Sequence, residues 1–208
     1  MEKGISLSRA FRVGCGDVVS FVGGGGKTTA MFKLASELQS AGLKVLTTTT
    51  THISLEQAEW APCSIRLEQL PLLKDRLDEF GHCLLIGPPD GKGRVHGAPP
   101  ELINQLHENS IADVILVEAD GSRSRPFKAP GSHEPVVPQS TTILAPIAGM
   151  NVIGKTLDED HAHRADVIAA LTKQRLGDII TPETVATILC HPEGGARQLP
   201  AERASFRF

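Results

Sequence analysis

The residues best suited to chemistry lie in one run, Gly23-Gly24-Gly25-Gly26-Lys27-Thr28-Thr29. Four glycines let the backbone curl and point successive N–H groups inward around an anion. A helix that starts directly after such a loop turns its positive end toward the same anion. Lys27 can reach the outer phosphates of a nucleotide, and the Thr28 hydroxyl can ligate magnesium. Gly23, Gly24, Gly25, Gly26, Lys27, Thr28 and Thr29 are therefore the candidate phosphate-binding residues. The run departs from GxxxxGK[ST], because Phe21 stands where the first glycine belongs. Val22 occupies the place where some divergent loops carry an early lysine. The turn is expected to begin one or two residues later than usual.

A second group follows an apolar run in DVILVEADGS, which puts Glu118 and Asp120 at a strand end. In open α/β sheets the carboxyl ends of the strands carry the ligand. A carboxylate there can hold magnesium opposite Thr28, so Thr28, Glu118 and Asp120 are the candidate metal ligands. The residues leave open which acid serves. Glu118-Ala119-Asp120-Gly121 also has the spacing of a DxxG signal, with Glu for the first Asp. Lys27, Glu118, Asp120 and Arg123 form the candidate catalytic set.

Arg123, Arg125, Lys128, His133 and Glu134 concentrate charge in the proline-rich stretch that follows. Arginines and a lysine so placed suit an anionic substrate, while a solvated loop would explain the same composition. Thr47 to Thr51 and His52 end a β-branched run on the same sheet edge. Thr49 and His52, with Arg125, Lys128, His133 and Glu134, are the candidate substrate contacts. For the threonines, β propensity alone is nearly as good a reading. Asp158, Glu159, Asp160, His161, His163 and Arg164 make a polar cluster with no fixed third metal ligand.

These residues need a scaffold, and the pattern supplies one. VVSFV reads as a strand buried on both faces. After the glycines, Ala30, Met31, Leu34, Ala35 and Leu38 recur at helical spacing, and Gly42 supplies the stop. LKVLTTTT is the next strand, which completes a βαβ unit. Ser54 and Gln57 have capping-box spacing for a short helix. Leu67, Leu70, Leu73 and Leu77 mark an amphipathic segment with Pro71 in its first turn. CLLIG, DVILVEA and TTILAPI read as strands, and ELINQLHEN, the stretch after Asp158 and TPETVATILC as helices. GPPDGKGRVHGAPP reads as a loop. Strands alternating with helices predict an α/β protein with a mainly parallel sheet.

The chain's 208 residues suit one domain over 1–208. SFRF at the end reads as an incipient strand, which suggests truncation of a longer protein. A net charge of −3 without basic blocks argues against nucleic acid. No apolar run approaches the length that spans a bilayer, and four scattered cysteines fit neither a disulfide framework nor a zinc site. A cytoplasmic location is the expectation.

FVGGGGKTT, LTTTTTH, VEADGSRSRPFKAPGSHEPVVP and NVIGKTLDEDHAHR together resemble the YqeC family, in order from Val18 to Arg164. The block from Glu118 to Pro135 is far more specific than the glycine loop. Members are described as accessory proteins for selenium-dependent molybdenum hydroxylases, or as selenium-cofactor biosynthesis proteins. The resemblance implies a three-layer P-loop NTPase-like α/β fold and an ATP or GTP cofactor with Mg2+. It implies roles for Lys27, Thr28, Glu118, Asp120, Arg123, Lys128, His133 and Glu134. It further implies a molybdenum hydroxylase, or its cofactor, as partner. Three activities fit: an NTPase accessory factor, a small-molecule kinase clamping its acceptor with Arg123, Arg125 and Lys128, and a nucleotide-gated binding module with negligible turnover. The oligomeric state is not readable.

Overall fold

The computed structural model describes residues 6–198 and the backbone of a two-residue strand at 205–206. The elements in chain order are α1 (Leu7–Phe11), β1 (Asp17–Gly23), α2 (Lys27–Ser40), β2 (Val45–Thr49), β3 (His52–Ser54), α3 (Leu55–Ala58) and β4 (Ser64–Arg66). A 3-10 turn (Leu67–Leu72) leads into α4 (Leu73–Phe80), β5 (His82–Ile86), β6 (Arg94–His96), α5 (Pro100–Glu108) and β7 (Val114–Glu118). Then come β8 (Phe127–Lys128), β9 (Ile143–Ile147), β10 (Ala162–His163), α6 (Ala165–Thr172), α7 (Pro182–Cys190) and β11 (Ser205–Phe206).

The central sheet has seven strands in the order β11-β9-β1-β7-β2-β5-β4, and every ladder in it is parallel. Side chains alternate between its faces, and both faces are apolar because both are covered. Val19 and Phe21 of β1 join Met31, Leu34, Ala35 and Leu38 of α2 in one core. Val18 and Val22 join Leu73 and Leu77 of α4 and Ile103 and Leu106 of α5 in the other. The result is the expected three-layer α/β arrangement. Burial of Met31, Leu34 and Leu38 stabilises α2 on the sheet by about 1.5–3 kcal/mol per side chain.

Two ribbons attach to this frame. β3 pairs antiparallel with β6, so the segment read as loop contains a strand after all. Its signal is only three residues long, Arg94-Val95-His96 with Val95 buried between two outward residues, and glycines and prolines surround it. β4 is equally short, with Ile65 alone buried, and no pattern announced it. β8 pairs with β10, setting Phe127 beside Ala162 and Lys128 beside His163. A third core of Phe127, Val152, Leu157, Ile168, Val185 and Ile188 lies under α6 and α7. The strand expected near the C-terminus forms as β11 on the edge of β9.

Candidate functional site

Register brings the candidate residues together. Phe21 of β1 and Thr49 of β2 both pair with Glu118 of β7, so the glycine loop emerges beside the acidic strand end. Phe21 is fully buried in the core, and the chain turns only at Gly23, with φ +99°. The later turn expected from the missing first glycine is what forms. A Cβ on Gly23 would lie 2.3 Å from the Ile147 carbonyl oxygen, so nothing larger fits. Gly26 has open space around it, but φ +83° disfavours any L side chain there. It is also the N-cap of α2, and no side chain among the described residues caps that helix. The first-turn amides of α2 thus face the cleft uncapped, as an anion site requires.

Lys27 is 4% exposed, and its Nζ donates to the Gly23 carbonyl at 2.7 Å. The same Nζ lies 3.2 Å from Asp120 Oδ1 and 3.8 Å from Glu118 Oε1. The Thr28 hydroxyl donates to Glu118 Oε2 at 2.6 Å. Burial raises the Glu118 carboxyl above its usual range, Lys27 and the Thr28 hydroxyl pull it back, and Asp120 pushes it up.

The two acids have different settings. Glu118 lines the cleft, whereas Asp120 is 1% exposed and lies behind the glycine loop. Asp120 Oδ2 accepts from the Gly23 amide at 2.9 Å and faces Lys128 Nζ at 3.0 Å. Its Oδ1 has Lys27 nearby but no aligned hydrogen-bond donor among the described residues. Lys128 Nζ also donates to the Gly121 carbonyl at 2.6 Å and to Glu134 Oε2 at 2.8 Å. Arg164 Nη1 closes the chain on Glu134 Oε2 at 2.8 Å. Burial works against the Glu134 carboxylate, but Lys128 and Arg164 hold its pKa below the usual value. Charges therefore alternate from Glu118 through Lys27, Asp120, Lys128 and Glu134 to Arg164, from the cleft to the start of α6.

The cleft has a volume of about 390 Å³ and three walls. The glycine loop with Lys27, Thr28 and Glu118 makes one, residues 121–125 make the second, and His52, Ser54, Gln57 and Arg94 make the third. Of the candidates, Gly25, Gly26, Lys27, Thr28, Glu118, Arg123, Arg125 and His52 line it. Gly23 and Gly24 shape the loop from behind, and Thr29 is exposed on α2.

The remaining placements differ from the expectation. Lys128 is enclosed by Asp120, Gly121 and Glu134 and does not line the cleft, and Glu134 is likewise committed to the ionic chain. The Thr49 hydroxyl is buried and donates to the Glu118 carbonyl at 2.8 Å, a sheet cross-link away from the cleft. His133 is exposed in the turn before Glu134 and does not line the cleft. In the cluster after Thr156, His161 Nδ1 meets Asp158 at 2.8 Å and His163 faces Glu159 at 3.9 Å, while Asp160 reaches Arg125 and Arg164 reaches Glu134. Among the described residues no three His, Cys, Asp or Glu converge as a metal-binding group. Sequence reasoning missed Arg94 and passed over Ser54 and Gln57 as a mere cap. The alternation around Val95 was the available signal.

A parallel sheet with a glycine loop feeding an uncapped helix, and an acidic strand end beside it, defines an α/β protein of the P-loop-like type. A family model described as "YqeC protein" matches residues 19–166. The Escherichia coli (strain K12) protein described as "Uncharacterized protein YqeC" is 33% identical over 183 residues, which cover 88% of this chain and 71% of that protein. The chain belongs to the YqeC family. Among the described residues no helix is long and apolar enough to cross a membrane.

Proposed function

We propose that the chain binds a nucleoside triphosphate, ATP or GTP, with magnesium in this cleft and hydrolyses it. The observation that carries this reading is the junction of β1 and α2. An uncapped helix start lies within a loop whose close packing excludes side chains, and Thr28 Oγ1 stands 2.6 Å from Glu118 Oε2. Two hard oxygen donors so close suit magnesium, which prefers a few protein oxygens with phosphates and water. Thr28 and Glu118 would hold the ion. Magnesium supplies charge neutralisation on the phosphates when bound.

The protein's own groups have separable tasks. The α2 amides and Lys27 bind the phosphate chain, with Lys27 leaving the Gly23 carbonyl to do so. Asp120 acts through others: it holds the Gly23 amide and positions Lys27. Arg123, in the cleft wall, stabilises charge on the outer phosphate. The likeness of the Glu118–Pro135 block to the selenium-related family description supports a role as accessory factor in maturing a selenium-dependent molybdenum hydroxylase. Nucleotide turnover would then drive cofactor modification or insertion.

Calorimetry of ATP and GTP, with magnesium and with EDTA, tests the binding step. Wild type should bind at least one of them. Lys27→Ala should bind about tenfold to a hundredfold more weakly, as expected for a lost charge-assisted hydrogen bond. Glu118→Gln should lose most of the magnesium dependence. Absence of binding to folded wild type would overturn the proposal.

A further inference from the structure

The third wall of the cleft is built on the β3–β6 ribbon and α3, apart in the chain from the glycine loop. Ile53 and Val95 pack into the core beneath the ribbon, so alternation sends His52, Ser54 and Arg94 outward. The wall is fixed in place: the Gly87 amide donates to the His96 carbonyl, Leu55 to Gly93, and Gly97 to Thr51. The His52 ring rests against that of His96, 4.4 Å between centroids.

What the wall offers is hydrogen-bond donors. Asp90 accepts Arg94 Nε at 2.8 Å and so orients the guanidinium, while neither Nη group has a protein partner among the described residues. Gln57 Oε1 accepts from the Ser54 amide and hydroxyl, which assigns its NH₂ group to the free side. Arg123, on the adjoining wall, has no ion pair or side-chain hydrogen bond among the described residues. Among the described residues the Arg125 side chain has only Asp160, at 3.6 Å, and Asp160 is almost wholly exposed. Unpartnered donors, with Glu118 the one carboxylate lining the cleft among the described residues, select a ligand that presents oxygens and negative charge.

We propose that the ribbon wall is a second subsite, which takes a small oxyanion-bearing molecule, a phosphate or carboxylate compound, beside the bound nucleotide. Arg94 from the ribbon and Gln57 from α3 hold its anionic group, and Arg123 contacts it from the neighbouring wall. The subsite rests on the nucleotide reading for its neighbour but not for its own donors. It makes the protein a two-ligand system, with the nucleotide in the glycine loop and a small anion across from it.

The test is calorimetry of inorganic phosphate, and separately of malonate, titrated into the full chain saturated with magnesium and the non-hydrolysable analogue AMPPNP. At least one probe should bind saturably. Arg94→Ala should weaken that binding about tenfold or more, while AMPPNP affinity stays within about twofold of wild type. Arg123→Ala, which removes a side chain with no ion pair or side-chain hydrogen bond among the described residues, should weaken both the probe and AMPPNP, since Arg123 also serves the outer phosphate. Neither probe binding to the nucleotide-loaded protein would overturn the subsite. So would an Arg94→Ala protein that loses AMPPNP affinity instead, because the arginine would then belong to the nucleotide. If wild type does not bind AMPPNP, the nucleotide reading fails by itself. The same titrations on free protein then decide the subsite: dependence on Arg94 supports it, and indifference to Arg94 overturns it.

Discussion

Lys128→Met separates a buried structural cation from a substrate clamp. The Lys128 side chain is 0% exposed, with Asp120 Oδ2 at 3.0 Å, Glu134 Oε2 at 2.8 Å and the Gly121 carbonyl at 2.6 Å. Methionine keeps most of the volume and removes the charge. Asp120 would keep Lys27 and the Gly23 amide, and Glu134 would keep Arg164. Removing one partner from a buried pair costs about 3–5 kcal/mol. Solvent reaches Glu134, which is 25% exposed, so the lower end, about 3 kcal/mol, is expected. With a urea slope of about 2–3 kcal/mol/M for a domain of this size, the unfolding midpoint falls by about 1–1.5 M. Adding Glu134→Gln to Lys128→Met should recover about 1 kcal/mol, because the two charges are coupled. Urea denaturation followed by circular dichroism measures both. A midpoint within about 0.3 M of wild type would refute the structural role and return Lys128 to the substrate.

Acid should weaken the fold through His82. Burial holds its pKa down to about 4 from an ordinary 6.5, and its Nε2 meets the Thr47 hydroxyl at 3.0 Å. Below pH 6.5 the unfolded chain takes up a proton that the native state refuses until about pH 4. Stability therefore falls as pH drops through that window, by up to about 3 kcal/mol. His52 and His163 are lowered too and add with the same sign. His82→Gln should flatten most of the slope in urea titrations at pH 7, 6, 5 and 4; an unchanged slope would count against the assignment. In the glycine loop, Gly26→Ala meets open space and only an unfavourable φ, a cost of about 1–2 kcal/mol. Gly23→Ala adds a clash with the Ile147 carbonyl and should cost about 3 kcal/mol or more. Thermal melting ranks the two, and equal shifts would contradict the close packing at Gly23.

Much of this was legible locally. The glycine run between a buried strand and an amphipathic helix needs only neighbouring residues to declare itself, and Phe21 in place of glycine foretold a late turn. The helices at 100–108, 165–172 and 182–190 form where the sequence reads as helical, to within a few residues, the last of them with Thr181 and Pro182 as its start signal. The β3–β6 ribbon escaped because three-residue strands carry too little periodicity to stand out from glycine and proline. Arg94 escaped with it.

By itself, then, the sequence determined the α/β alternation, the glycine loop between strand and helix and the family block from Glu118 to Pro135, since each is a pattern of near neighbours. Only the tertiary structure decided how the charges are used. Glu118 and Asp120 are two residues apart and chemically alike, yet one lines the cleft beside Thr28 and the other sits behind the loop between two lysines. Lys128 reads like the arginines before it, yet pairing of β8 with β10 buries it against Asp120 and Glu134. Burial and partner choice depend on contacts between residues far apart in the chain, and spacing carries no record of those.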